Sequence, residues 1–176
     1  MAAPPVDPRS LVLPRGRIPI GVALGSIGVS FAWWCESALR LEAAGYAGVW
    51  CWDHFVSRGR ADDPVLEVWT TLAAVGAVTR EITVGSFVAN VMNRHPAVLA
   101  RMAATLQEVT GGRLVLGVGI GGHPAEHAAY GIPFPPAPER VARLREAVAV
   151  LRALWSGGPV DRPSPFYPLR AAVAYP

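Results

Sequence analysis

The chain has 176 residues, 52% of them hydrophobic and 16% charged, which is enough for one globular domain with a buried core. Its net charge is +3 and all 16 basic residues are arginine, which excludes a lysine Schiff base and the lysine of a P-loop. The arginines are dispersed, which argues against nucleic-acid binding, and no apolar run reaches the roughly 18 residues that a membrane span needs.

Neither the cysteines nor the N-terminus indicates an oxidising compartment. Cys35 and Cys51 are too few for a disulfide framework, and the first residues lack the apolar segment of a secretory signal. The cytoplasm is therefore the expected location. The expected ligand is a small-molecule substrate, not a nucleic acid or a membrane.

Alternating strands and helices are predicted over residues 18–158, between a flexible proline-rich arm at 1–17 and an irregular proline-rich tail at 159–176. Apolar periodicity, prolines at helix starts and glycines at helix ends place the boundaries. The predicted elements are strand Ile18–Leu24, helix Ala32–Ala44, strand Gly48–Trp52, helix Pro64–Thr79 capped by Asp63, strand Ile82–Val88, helix Pro96–Val109, strand Arg113–Gly122, a turn at Pro124–Ala129 and helix Glu139–Trp155.

Strands that alternate with helices indicate an α/β fold with a parallel sheet built from right-handed β-α units. In such a sheet, ligands bind in the loops beyond the carboxyl ends of the strands. Four loops of this chain occupy that position, and three of them contain histidine. The sequence therefore predicts a site that is built from loops at one edge of the sheet.

The fourth predicted strand, Arg113–Gly122, ends in glycine. Its leucines, valine and isoleucine alternate with Gly117, Gly119 and Gly121, so one face of the strand is nearly bare. A bare strand face leaves room for a neighbouring backbone, a closely packed helix or a flat ligand. The spacing alone does not choose among these.

Gly117, Gly119 and Gly122 match the GxGxxG fingerprint of dinucleotide-binding proteins directly after a strand. A dinucleotide site also needs a helix at the third glycine and an acidic residue about 20 positions later, at the end of the next strand. Here a proline-rich stretch interrupts, and Glu139 opens a helix instead. The fingerprint is therefore disfavoured.

His123, Glu126 and His127 match the HxxEH pattern of one class of zinc peptidases. Such a site needs both histidines on one face of a stable helix, together with a third protein ligand. A short turn before a proline-rich stretch does not provide that platform, so no metal site is expected.

Asp53 and His54 follow the second predicted strand, at the edge where ligands are expected. Histidine exchanges protons near pH 7, and an adjacent carboxylate can fix its tautomer. The pair is therefore a candidate for acid–base chemistry, although a dipeptide is a weak signal by itself.

Several segments at matching separations resemble one family. GVWCWDHF, ITVGSFVANVMNRHPAVLARMAATLQEVTGGRLVLGVGIGG, EHAAYGIPF and ERVARLREAVAVLRALWSGGPV together resemble the luciferase-like monooxygenases, and more narrowly their coenzyme F-420-dependent oxidoreductases. The resemblance covers about residues 18–170. It implies a (β/α)8 TIM barrel that binds FMN or coenzyme F-420, an 8-hydroxy-5-deazaflavin, at its mouth for hydride transfer.

The resemblance also implies site residues. The pair after the second strand lies beside the ring in these enzymes, which nominates Asp53 and His54 as catalytic, with His54 as the acid–base or ring-polarising group. A non-prolyl cis peptide that backs the ring falls at Ser86–Phe87 in the alignment. The implied cofactor-binding residues are Asp53, His54, Ser86, Phe87, Val88, Asn90, Gly119 and Gly121.

Two departures from the family bear on function. Some sugar-phosphate dehydrogenases of the family carry an acidic residue where this chain has Gly122, so activity on glucose 6-phosphate is not expected. A full barrel takes about 250 residues, whereas this chain provides four β-α units, or half a barrel. Two copies could associate, a C-terminal half-barrel could complement the chain, or the sequence is a fragment of a longer enzyme, which is the favoured expectation.

The resulting hypothesis is an F-420-dependent oxidoreductase that transfers hydride to or from a small organic substrate. An FMN-dependent monooxygenase of the same family is the alternative within this class. A hypothesis of another class is a non-catalytic remnant or assembly module that keeps the fold and binds no cofactor.

Overall fold

A computed structural model describes residues 18–57, 59–60 and 62–174, so the predicted arm at 1–17 lies outside the described residues. Strands and helices alternate as predicted through the first four β-α units. The elements in chain order are β1 (Gly21–Ala23), α1 (Phe31–Ala43), β2 (Gly48–Cys51), α2 (Val68–Val78), β3 (Thr83–Asn90), α3 (Pro96–Val109), β4 (Leu114–Gly119), α4 (Pro124–Ala129), α5 (Ala137–Trp155), β5 (Val160–Arg162) and β6 (Leu169–Ala172).

Strands β1 to β4 form one parallel sheet in sequence order, β1-β2-β3-β4. This order is the one that consecutive right-handed β-α units produce, and it makes β1 and β4 the two edges. Helices α2 and α3 pack on β3 and β4, and α3 also packs on α5. The buried side chains of this layer form the core, which includes Val49, Leu72, Val84, Leu99 and Leu154.

The opposite face of the sheet carries Trp50, whose ring lies against the glycines of the neighbouring strands. Trp50 pairs with Gly85 in β3, and any side chain at Gly85 or Gly21 would collide with the indole. Paired residues of a parallel sheet point to the same face, so Val115, which pairs with Gly85, lies on this face too. Val115 is 46% exposed.

Helix α2 begins later than predicted. The expected start was Asp63 and Pro64, but the helix starts at Val68 and is capped by Glu67, whose carboxylate accepts from the Thr70 N–H. Asp63 instead accepts hydrogen bonds from the Ser57 hydroxyl and the Arg60 N–H and so closes the preceding loop. The loop contacts therefore occupy the carboxylate that the sequence assigned to the start of the helix.

Two further segments are more regular than the sequence predicted. Residues 124–129 form the short helix α4 instead of a turn. The tail from residue 159 contains an antiparallel pair, β5 and β6. Pro163, Pro165 and Pro168 lie between these strands, so they interrupt no ladder, and the Ser164 hydroxyl oxygen accepts from two backbone N–H groups in the turn.

Strand β3 contains the irregularity that the sequence placed one residue too early. The cis peptide bond joins Phe87 to Val88, not Ser86 to Phe87. Ser86 still pairs regularly with Leu116, and the register with β4 shifts only between Ser86 and Ala89. The motif VGSFV therefore located the bulge but not the cis peptide bond.

Among the described residues, no helix is long and apolar enough to cross a bilayer.

Candidate active site at the carboxyl ends of the strands

A pocket of about 680 Å³ opens at the carboxyl ends of β1 to β4, where the sequence predicted a site. The loops after β1, β2 and β4, the end of β3 and helix α4 contribute to its wall. Of the predicted cofactor-binding residues, the pocket is lined by Asp53, His54, Phe87, Val88, Asn90 and Gly121. The other two lie deeper in the sheet: Ser86 is buried and donates its hydroxyl hydrogen to the Gly117 carbonyl, and Gly119 faces Val88.

His54 is paired with a carboxylate from a distant part of the chain. Its Nδ1 lies 3.1 Å from Oε2 of Glu126 in α4, and the same oxygen accepts the backbone N–H groups of Phe55 and Val56 at 2.8 and 3.3 Å. An ionised carboxylate can only accept, so Nδ1 of His54 carries the proton and donates it to Glu126. The sequence analysis expected Asp53 to fix the tautomer of His54, but Glu126 is the carboxylate that does so.

Glu126 is almost fully buried, with 1% of its surface exposed. Burial by itself raises the pKa of the Glu126 carboxyl, but the hydrogen bonds from the Phe55 N–H, from His54 and from the Val56 N–H outweigh it and hold the pKa below its usual value. The carboxylate is therefore anionic at neutral pH. The sequence did not reveal Glu126 as the partner of His54, because the two residues are 72 positions apart and meet only in the folded chain.

Asp53 has different partners from its neighbour. Its two oxygens lie 2.6 and 3.0 Å from the Arg94 guanidinium, and Oδ2 also accepts the Asn90 N–H at 2.8 Å. The Asp53 side chain is fully buried and that of Arg94 nearly so. Asp53 thus links the loop after β2 to the end of β3, and among the described residues its oxygens make no hydrogen bond to His54.

The bare face of β4 is occupied by the irregular part of β3. A Cβ atom at Gly117 would lie 2.5 Å from the Ser86 carbonyl oxygen, and one at Gly119 would lie 2.6 Å from a methyl of Val88. At Gly121, where φ is +72°, it would meet the Asn90 amide at 2.7 Å. The glycines therefore make room for the neighbouring strand, and through it they allow Val88 and Asn90 to reach the pocket.

The HxxEH residues do not act together. His123 and Glu126 turn toward His54, and one potential ligand atom from each of the three lies within 4.8 Å of the others. His127 turns the other way, with Nε2 2.9 Å from the Asn90 amide and its ring against Phe134. The third member of the cluster, His54, comes from outside the motif, so spacing within the motif could not reveal it.

The lining of the pocket fits a flat ring with a polar edge. Phe87 and Val88 are 63% and 42% exposed, which is unusual for apolar side chains in a strand, and both lie at the pocket wall. His54 and Asn90 lie at the same wall, and the Asn90 side chain is fixed there by hydrogen bonds with Asn93, His127 and the Met92 N–H. Ligand sites of this kind are mostly apolar with a few placed polar groups, and the ring of a flavin or deazaflavin has that character.

A family model described as luciferase-like monooxygenase matches residues 17–176. A phthiodiolone/phenolphthiodiolone dimycocerosates ketoreductase from Mycobacterium sp. (strain JLS) is 44% identical over 115 residues, 63% of this chain and 29% of that protein. A coenzyme F-420-dependent glucose-6-phosphate dehydrogenase from Kribbella flavida is 39% identical over 145 residues, 80% of this chain and 42% of that protein.

Among solved structures, an F-420-dependent secondary alcohol dehydrogenase in complex with an F-420–acetone adduct superposes with a TM-score of 0.83 at 28% identity. The match covers 89% of this chain and 48% of that one. The chain thus spans about half the length of that solved relative and less than half the length of these curated relatives. The predicted half of a (β/α)8 barrel is confirmed.

Proposed function

The chain belongs to the luciferase-like monooxygenase family, and we propose that it provides the cofactor-facing half of an F-420-dependent oxidoreductase barrel that acts on a small organic molecule. The observation that carries the proposal is His54, which lines the pocket while its Nδ1 is held by the buried Glu126 carboxylate. Relatives whose names include F-420 support the choice of cofactor.

The residues that would hold the ring are those of the β3 irregularity and of the loops beside it. Phe87 and Val88 offer an exposed apolar surface, and His54 and Asn90 offer polar groups at the same pocket wall. When bound, a deazaflavin or flavin supplies or accepts the hydride. Our proposal assigns to Asp53 the task of holding Asn90 and Arg94 in place, and therefore the shape of this wall.

His54 is the proposed proton-exchanging residue. With Nδ1–H donated to anionic Glu126, a neutral imidazole has its Nε2 lone pair free to accept a proton, and the protonated imidazole can return one. Deprotonation of a substrate alcohol during its oxidation, or protonation of the reverse reaction's alkoxide, needs such a group.

The remaining half of the barrel is part of the proposal. β1 and β4 are open edges of the sheet, and the face with Trp50 and Val115 has no covering layer within the described part of the chain. We infer that a complementary half-barrel covers this face, from a further stretch of polypeptide or from a second subunit. A homodimer of this chain is the competing arrangement.

Titration with the two candidate cofactors tests the proposal. The purified chain, alone and with a C-terminal half-barrel of a full-length relative, is titrated with F-420 and with FMN while ring fluorescence is followed. We expect saturable binding of F-420 that is weakened at least tenfold by His54→Ala. His95→Asn is the matched control, because His95 does not line the pocket and asparagine preserves its acceptor at the start of α3.

The outcomes separate the hypotheses. Saturable binding of FMN alone would replace F-420 by FMN as the cofactor. Binding of neither ring to a folded chain, with or without the second half, would contradict the enzyme hypothesis and favour a non-catalytic assembly module. Equal binding by the His54 and His95 variants would contradict the assigned place of His54.

A further inference from the structure

Three side chains with metal-ligating atoms meet at the rim of the pocket, where the sequence predicted no metal. Glu126 Oε2 lies 3.1 Å from His54 Nδ1 and 3.8 Å from His123 Nδ1, and one potential ligand atom from each of the three lies within 4.8 Å of the others. Ligand atoms around a tetrahedral zinc ion are about 3.3 Å apart, given metal–ligand bonds of about 2.0–2.1 Å. The cluster is therefore close to the size that an ion requires.

His123 supplies an independent observation. Its Nδ1 is buried and makes no hydrogen bond to any described residue, and Glu126 Oε2 at 3.8 Å is beyond hydrogen-bonding range. Buried polar nitrogens are nearly always satisfied, and an ion is one of the groups that can satisfy them. A nitrogen that faces a carboxylate without bonding to it leaves space for a third atom between them.

The carboxylate is also fixed before any ion arrives. The backbone N–H groups of Phe55 and Val56 both point at Oε2, and Glu126 is buried in α4. The ion-pair partners of Glu126 among the described residues are the imidazoles of His54 and His123, and Arg94 pairs with Asp53 and Glu67 instead. A preorganised anionic oxygen between two imidazoles is the donor set of catalytic zinc sites, which use two histidines and a glutamate.

We propose that His54, His123 and Glu126 bind a divalent ion of the zinc class at the rim of the pocket. His54 and Glu126 both line the pocket, so the ion would keep an open coordination position on that side. Its arrival displaces the proton that His54 shares with Glu126. Ion binding and proton exchange through this pair therefore exclude one another. This site is separate in kind from the HxxEH pattern, because His127 contacts Asn90 instead.

Metal titration of the full chain without an affinity tag tests the proposal. Zn²⁺ binding is measured by calorimetry, and Co²⁺ is used as a spectroscopic probe of coordination. We expect one ion per chain, a visible absorption spectrum of nitrogen- and oxygen-ligated Co²⁺, and at least tenfold weaker binding in His123→Ala and in His54→Ala. Circular dichroism confirms that each variant is folded.

Two controls distinguish this cluster from other histidine sites. His95→Asn and His127→Gln are expected to bind Zn²⁺ as the unaltered chain does, and His95→Asn remains informative if loss of the buried His127 prevents folding. The proposal is overturned if the folded chain binds no Zn²⁺, if His123→Ala binds it unchanged, or if His127→Gln alone abolishes binding. Neither F-420 nor FMN is present in this experiment, so its outcome is independent of the cofactor titration.

Discussion

Asp53 and Glu126 are two buried carboxylates at the same rim, and each satisfies its charge in a different way. Asp53 is neutralised by a bidentate contact with Arg94, whereas Glu126 is held by two backbone N–H groups and by His54. Removal of Asp53 is therefore expected to leave Arg94 without its bidentate partner, whereas removal of Glu126 leaves Nδ1 of His54 without its acceptor.

Replacement of Asp53 by asparagine is expected to destabilise the chain. It removes the bidentate carboxylate from the nearly buried guanidinium of Arg94 and leaves Glu67, at 3.7 Å, as its remaining ion-pair partner. Breaking one side of a buried ion pair costs about 3–5 kcal/mol. The free energy of unfolding from urea denaturation measures the loss. The double variant Asp53→Asn/Arg94→Met should lose less than Asp53→Asn alone, and an equal or larger loss would contradict the ion-pair argument.

Glu126→Gln is expected to change the dependence of stability on pH. Because the pKa of Glu126 is lower in the folded chain than its ordinary value of 4.5, the carboxylate stabilises the fold above that value, and this contribution is lost as the pH falls through the folded pKa. The glutamine variant should therefore be less stable than the unaltered chain at pH 7, with a smaller difference near pH 3. Urea unfolding at both pH values measures it, and a difference that grows on acidification would contradict the assignment.

At the scale of elements, the fit of β4 against β3 depends on glycine. Gly117 lies opposite the Ser86 carbonyl oxygen and Gly119 opposite Val88, so the bulge of β3 occupies the volume that side chains on β4 would need. This close approach explains why the strand ends in glycine without forming a dinucleotide site. It also positions Val88 at the pocket wall.

Gly117→Ala is expected to destabilise the chain by about 1–3 kcal/mol, because the added methyl collides with backbone that cannot rotate away. Alanine in a strand is otherwise more stabilising than glycine by roughly 0.5–1 kcal/mol. The collision with the Ser86 carbonyl oxygen is therefore what makes the substitution destabilising. Gly122→Ala is the control, since a Cβ atom there has open space within 4 Å. Thermal unfolding compares the two, and similar midpoints would contradict the close approach.

At the scale of the molecule, one face of the sheet has no covering layer within the described part of the chain. Val115 is 46% exposed on the face that carries Trp50, and β1 and β4 end the sheet on either side. An exposed apolar face with two open strand edges favours association. The face that the helices cover needs no further partner, because its side chains are already buried in the core.

Val115→Lys is expected to prevent association with a complementary half-barrel while leaving the chain folded. A lysine at this position can reach solvent in the isolated chain but would be buried without a counter-charge in the closed barrel. Val109→Lys is the matched control, because Val109 is equally exposed at the end of α3. Sedimentation velocity of each variant mixed with the second half measures association, and equal association would contradict a contact through this face.

Local sequence patterns sufficed for much of the fold. Helix α3 begins at Pro96 and ends at Val109 as predicted, since a proline at its first turn and two glycines after its end are signals carried by adjacent residues. The order of strands followed from the alternation of periodicities, and the family followed from several motifs at matching separations. Each of these depends on residues close together in the chain or on their order.

Residue patterns were thus enough to predict the half-barrel, its family and the edge at which a site would form. The folded structure was needed to show that Glu126, 72 residues away, and not Asp53, is the carboxylate that faces His54. It likewise placed the cis bond after Phe87 and the bulge against the glycines of β4. The physical reason is that periodicity specifies which face a residue occupies, whereas strand register and loop geometry select its partner across the fold.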